Sequence, residues 1–338
     1  MEFSVLWLIA AFGGGAFGAA IGGQTAFIFT GLFYLVGLGG FMGGLDASWF
    51  MSTVVFGPVF GPHIAFAGGA TAAAYAGRKK IMANGANGRD IVSALAGLNR
   101  SDVLIVGGLT GMVGYTLNQF FGWIFPTFGS DPALNYGRDA YGSTDTVAFT
   151  IIVIAIAARY IWGTTGLLGN KNHGLFEVGE GKHWVAHQEK WSVTAAHGLT
   201  AGLISAFATL MIVAFIGVDN PAVLGWAQLV GWAISAVTLI FLSLGMTTPV
   251  THQITILASI AALLFAPILA GNSDIANWGD GVYVGALIIG GIFGVLGGLL
   301  CEALSRATNA EADTHIDPPA FAIWTGTTLI YLIAWIVG

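Results

Sequence analysis

Residues 56–69 read FGPVFGPHIAFAGG, and a weaker copy, MTTPVTHQITI, recurs at residues 246–256. Each copy brings a proline and then a histidine, His63 or His252, to the start of a long apolar segment. An imidazole in such a segment is costly unless it has a hydrogen-bond partner or a function. The recurrence indicates an internally duplicated membrane protein in which both stretches break a helix.

The composition supports a membrane protein. Of 338 residues, 56% are hydrophobic and 8% are charged, whereas soluble domains carry about 25% charged residues. Several apolar runs reach the roughly 20 residues that cross a bilayer as a helix. The net charge of -6 gives no sign of a nucleic-acid partner. Cys301 is the only cysteine, which excludes an intramolecular disulfide.

Hydropathy and turn signals predict an all-α polytopic membrane protein of about ten transmembrane helices. Prolines are expected to break the third segment (Pro58, Pro62) and the eighth (Pro249). Residues 45–58 either extend the second helix or form a re-entrant piece. The predicted segments are about 4–22, 25–44, 59–77, 102–123, 145–163, 195–217, 222–246, 250–270, 281–304 and 318–337.

Four matches recur in the same order in both halves and predict two five-helix repeats. They pair Gly14 and Gly18 with Gly198 and Gly202, His63 with His252, the glycine-rich stretch 106–114 with 289–297, and 145–149 with 317–321. We predict a first repeat at 1–165, a cytoplasmic linker with an amphipathic helix at 166–194, and a second repeat at 195–338. The glycine stripes are expected to pack against the other repeat.

The distribution of Lys and Arg predicts the orientation. These residues crowd the loop after the third segment, surround the linker and follow the ninth segment, which places those regions in the cytoplasm. Both termini are then outside. Five spans is an odd number, so the second repeat enters the membrane from the opposite side and the repeats are inverted. We expect a multi-pass protein of a cytoplasmic (inner) membrane.

The candidate site lies at the starts of the third and eighth segments, where His63 and His252 are expected to face each other. A helix start directs free amides and a positive dipole end towards a solute. In the second copy, Thr248, Thr251 and Gln253 add hydroxyl and amide groups. The alternative is that each histidine caps a helix or fills the core.

Two carboxylates begin the fifth and tenth segments, Asp145 and Asp317. Asp is a common N-cap, and Pro318 suits the first helical position, so capping is the simpler interpretation. The functional alternative is that the two carboxylates guard opposite mouths of a pathway and attract cations. Glu302 and Arg306 have the spacing of an ion pair within one helix.

These patterns favour a transport protein, either channel or carrier, that moves a small ion or small polar solute through a site near the midplane. We expect no cofactor and no enzymatic activity, with the lipid bilayer as partner and a homo-oligomer as an open option. The alternative is an intramembrane metal-dependent enzyme using His63 and His252, or His183 and His187, as ligands. A purely structural scaffold would leave the paired histidines without a function.

Overall fold

A computed structural model describes residues 4–125, 142–169, 174, 177, 185–217 and 223–338. Every long regular element in these ranges is a helix. The α-helices are α1 Val5–Ile21, α2 Gly23–Met42, α3 Ser48–Phe50, α4 Ala65–Arg78, α5 Ser101–Ile124, α6 Thr146–Trp162, α7 Trp191–Ile212, α8 Leu224–Ala227, α9 Val230–Ser243, α10 His252–Ala270, α11 Asp280–Thr308 and α12 Pro318–Val337.

Seven helical stretches in the described chain are long and apolar enough to cross a membrane. Two further apolar helices, α1 and α6, are shorter, at 17 residues each. The predicted all-helical architecture is therefore confirmed, and these apolar helices are compatible with a multi-pass membrane protein. The seven stretches are Gly23–Met42, Ser101–Ile124, Trp191–Gly217, Leu224–Ser243, His252–Ala270, Asp280–Thr308 and Pro318–Val337.

The third predicted segment is broken, as the two prolines indicated. The short helix α3 continues as a π-helical turn, Met51–Val55, and residues 56–64 form turns before α4 begins. The backbone of Pro58 lies against Gly14, halfway along α1, where a side chain on that glycine would collide with it. Residues 48–55 therefore run back beside α2, where Met51 contacts Gly37. The break before α4 lies level with the middle of α1.

The eighth predicted segment is not broken at its proline, which corrects the expected symmetry of the two breaks. Pro249 lies in the loop between α9 and α10, and α10 then runs without interruption to Ala270. The backbone of this loop finds partners in the preceding chain. Gln188 accepts from the Val250 amide at 2.9 Å and donates to its carbonyl at 3.2 Å, while His187 Nε2 lies 2.7 Å from the Thr248 carbonyl.

The helices pack as two groups with matching partners. In the first group α1 and α6 both contact α4 and α5, and α2 contacts α4. In the second group α7 and α12 both contact α10 and α11, and α9 contacts α10. The groups meet through α2 against α9 and α6 against α12. α10 is the central helix, buried from His252 to Pro267.

The glycine stripes pack within their own group, which corrects the prediction that they face the other repeat. A side chain on Gly111 of α5 would collide with the backbone of Ala11 and Gly15 of α1. Gly294 of α11 meets Gly198 and Gly202 of α7 in the same way. Small residues permit this close backbone approach. Gly198 of α7 is therefore the structural equivalent of Ala11 of α1. The sequence match had paired Gly198 with Gly14, three residues further along α1.

Arginines gather at one end of the bundle, which we call the basic end and define by Arg89, Arg159 and Arg306. Arg159 is 1% exposed and donates to the carbonyls of Gly166, Leu167, Thr308 and Thr314 and to the Thr314 hydroxyl. Arg89 donates to the carbonyls of Asn309 and Ala310. These contacts join the loops that follow α4, α6 and α11.

Two further contacts complete the basic end. Arg306 pairs with Glu302 at 2.7 Å, both side chains being buried, which confirms the predicted ion pair. Burial acts to raise the pKa of the Asp313 carboxyl, but hydrogen bonds from Thr164 and Thr165 outweigh it and hold this pKa below its ordinary value. The predicted amphipathic linker helix lies largely outside the described residues.

Candidate functional site

A cavity of about 680 Å³ lies where the two helix groups meet. Near the basic end, residues in the first turns of α2, α10 and α12 and in the last turns of α9 line the cavity. Near the opposite end, residues in the last turns of α5, in the first turn of α6 and in the stretch 225–229 line the cavity. The cavity therefore extends between the two ends of the bundle, at the interface where the two helix groups meet.

Asp317 is the carboxylate of the cavity nearest the basic end. It caps α12, because its Oδ2 accepts the Ala320 amide at 2.8 Å, and its Oδ1 lies 3.0 Å from His315 Nε2. The side chain is buried, and His252 lines the same cavity. Gln24 lines the same end and donates to Ser243 Oγ at 2.7 Å.

Asp145 is the corresponding carboxylate at the opposite end. It caps α6, because its Oδ1 accepts the Ala148 amide at 2.9 Å, and it is 4% exposed. Asn118, Gln119 and Gln228 line the cavity at this end. The predicted capping role of both aspartates is confirmed. Both also line one cavity at opposite ends, which is the placement that the alternative interpretation required.

The two histidines differ in their relation to the cavity. His252 lines it, but His63 is not among the described residues that do so, although Pro62 is. A side chain on Gly114 would collide with the His63 carbonyl, and one on Gly297 would lie 3.0 Å from the Gln253 carbonyl. Because Gly114 and Gly297 are equivalent in the two glycine stripes, Gln253 occupies the position of His63, and His252 that of Pro62. The predicted pairing is shifted by one residue.

The other residues predicted for the site lie beside it. Thr251 donates to Ser235 Oγ at 3.0 Å, Gln253 donates to the Val250 carbonyl at 3.0 Å, and Thr248 accepts from His187 through its carbonyl. None of these three is among the described residues that line the cavity. They hold the start of α10 in place, which positions His252.

The middle of the cavity is apolar and aromatic, which the sequence patterns did not single out. Equivalent residues of the two groups line it in pairs: Phe66 with Ile256, Ala148 with Ala320, and Ile151 with Ile323. Phe27, Phe56, Trp226 and Trp232 line it as well, and Trp123 lines the cavity from the last turn of α5. The last two pairs could have been found from the sequence, because Ala148 and Ile151 follow Asp145 at the same spacing as Ala320 and Ile323 follow Asp317. No local sequence pattern marks the aromatic residues.

Metal binding finds no support in the described chain. The described residues contain no group of three or more His, Cys, Asp or Glu side chains that could hold a metal ion. His183 lies outside the described residues, and His187 contacts the loop before α10 instead. The metal-enzyme alternative therefore gains no observation in its favour.

The fold defines an all-helical protein with several helices apolar enough to span a membrane, built around a cavity between two helix groups. The chain belongs to a family of unknown function, DUF7973, whose family model matches residues 1–182 and 176–338. No curated protein and no solved structure matches the chain. The two matched stretches cover the two helix groups in turn.

Proposed function

We propose that the protein is a membrane transport protein, and that a small ion or small polar solute crosses the membrane through the cavity. The observation that carries the proposal is the extent of the cavity between both ends of the bundle, with a buried carboxylate near each end. Ionisable residues within membrane segments commonly mark solute or ion pathways because burying them there is otherwise costly.

The same proposal includes ten helices in two inverted five-helix repeats. The matching partners of α1 and α7, α2 and α9, α4 and α10, α5 and α11, and α6 and α12 support the duplication. The family model, which matches two successive stretches, supports it as well. The N-terminus of α7 contacts Arg306 at the basic end, whereas the N-terminus of α1 contacts Tyr115 near the far end of α5. These opposite directions support inversion.

The arginines at the basic end support a cytoplasmic location for that end, and hence termini on the outside. In inverted-repeat transporters, solutes bind where the repeats meet, near the midplane and beside interrupted helices. The break before α4 supports such a site, since Pro62 and Phe66 on either side of the start of α4 line the cavity. The break and the cavity are compatible with both a channel and a carrier.

The proposal is tested by reconstituting the purified protein in liposomes and following volume changes by light scattering. The solutes are urea, glycerol, sodium chloride and chloride salts of ammonium and small alkylammonium ions. We expect at least one solute to cross faster than in protein-free liposomes. We also expect that rate to fall when Ala320→Cys, in a Cys301→Ala background, is modified with a bulky thiol reagent, because Ala320 lines the cavity.

The matched control is Ala322→Cys, which lies on the same helix but is fully buried and not among the described lining residues. Modification of that variant should leave the rate unchanged. Equal rates with and without protein, for every solute in the series, would contradict a transport function.

A further inference from the structure

The charged side chains of the cavity wall favour a positively charged ligand over a negatively charged one. Asp145 and Asp317 line the cavity, whereas none of the described lining residues is Lys or Arg. The buried arginines Arg159 and Arg306 are engaged at the basic end by carbonyl groups and by Glu302. The only acidic or basic side chains of the described wall, apart from His252, are therefore the two carboxylates, so an anion would be repelled and a cation attracted at both ends.

The chemistry of the wall between the carboxylates disfavours a strongly hydrated metal cation. Such ions take several oxygen ligands at once; Ca²⁺, for example, needs about six to eight. The middle of the cavity presents Phe66, Ile151, Ile256 and Ile323 instead, and the described residues contain no cluster that could hold a metal ion. A cation that crosses this region must therefore lose its hydration water at a low free-energy cost.

A row of aromatic rings connects the two polar ends, which we call the aromatic row and define as Trp226, Phe56, Trp232 and Phe27. Successive ring centroids lie 6.3, 5.9 and 5.3 Å apart, and the Phe27 ring lies 4.9 Å from the ring of His252. All four side chains and His252 line the cavity. Ring faces attract cations, and weakly hydrated ammonium ions carrying alkyl groups are bound in this way by aromatic cages.

We propose that the cavity binds small organic cations of the alkylammonium class, held by the aromatic row and by the carboxylates of Asp145 and Asp317. This inference rests on the proposed function and names its substrate class. The cavity volume of about 680 Å³ accommodates such an ion, since ligand sites commonly measure about 300–1,000 Å³. The buried Nδ1 of His252 has no hydrogen-bond partner within the described structure.

The test measures binding of choline to the purified full-length protein, compared with 3,3-dimethylbutan-1-ol, its uncharged isostere, and with sodium. We expect choline to bind at least about tenfold more tightly than the isostere, because only the charged ligand gains from the rings and carboxylates. Trp232→Leu should weaken choline binding by about tenfold and Trp232→Phe by less, since indole faces attract cations more strongly than phenyl faces.

Trp335→Leu is the matched control, because Trp335 is 52% exposed on α12 and is not among the described lining residues. It should leave choline binding unchanged. Equal binding of choline and its isostere, or equal binding by the folded Trp232→Leu variant, overturns the inference. If solutes then still cross the reconstituted protein, the transport function stands and only the substrate class is wrong; if none crosses, both fail.

Discussion

Replacing Arg159 with methionine is expected to leave little stably folded protein, although Arg159 is not among the described residues that line the cavity. The guanidinium makes five hydrogen bonds to Thr314, Thr308, Gly166 and Leu167. Methionine has a similar apolar stem but no donor. Each buried carbonyl left without a partner costs about 1–3 kcal/mol, so the loops after α6 and α11 should separate from each other.

The measurement is the apparent melting temperature of the purified protein in detergent. A loss of several kcal/mol corresponds to a fall of about 10 °C or more for a chain of this size. Arg159→Lys should recover only part of the loss, because an ammonium group cannot serve five acceptors. Arg78→Met is the control, since Arg78 is exposed in the last turn of α4. Melting of Arg159→Met within about 2 °C of the natural protein would contradict the bridging role.

The variants Asp145→Asn and Asp317→Asn are expected to fold normally and yet to lose most cation permeation. Asparagine caps helices as well as aspartate does, so the bonds to the Ala148 and Ala320 amides can remain. The charge, however, is removed from one end of the cavity. Charges in a cleft of low dielectric raise the local concentration of a counter-ion about 10- to 1,000-fold. We therefore expect alkylammonium permeation in liposomes to fall by about tenfold or more.

Permeation of neutral solutes provides the internal comparison, because it should change much less than that of cations. Asp274→Asn is the matched variant: Asp274 also caps a helical turn, through the Ala276 amide, but lies exposed between α10 and α11 and is not among the described lining residues. Unchanged cation permeation in folded Asp145→Asn and Asp317→Asn would mean that the two carboxylates act as helix caps alone.

Features with a local cause could be predicted from the sequence. The lengths of the apolar runs located most helices to within about five residues, although α4 begins at Ala65 and the predicted segment 222–246 is divided into α8 and α9. Pro58 and Pro62 marked the break before α4 because proline cannot continue a helix. The capping positions of Asp145 and Asp317 followed from their place before a helical segment. The Glu302–Arg306 pair followed from its spacing. Each of these depends on residues close together in the chain.

Features that depend on packing could not be predicted in the same way. The sequence match paired His63 with His252, but the backbone contacts of Gly114 and Gly297 shift this register by one residue. One residue in a helix turns the side chain by about 100°, which explains why His252 lines the cavity and His63 does not. The aromatic row joins α2, the break before α4, α8 and α9, so no single stretch reveals it.

The central claim is that solutes reach the cavity from the two sides of the membrane, and accessibility of introduced cysteines tests it most directly. Ala148→Cys and Ala320→Cys, each in a Cys301→Ala background, place a thiol at equivalent positions near opposite ends of the cavity. A trimethylammonium thiosulfonate reagent is added to one side of sealed vesicles, with Ala322→Cys as the buried control.

We expect the cysteine at position 148 to react when the reagent is added on the side of the membrane opposite the basic end. The cysteine at position 320 should react when the reagent is added on the side of the basic end. Reaction of both from either side would indicate a channel, and reaction that changes side when solute is added would indicate a carrier. If neither position reacts from either side, while the variants remain folded and react after detergent denaturation, the cavity is sealed and the account of a transport pathway is wrong.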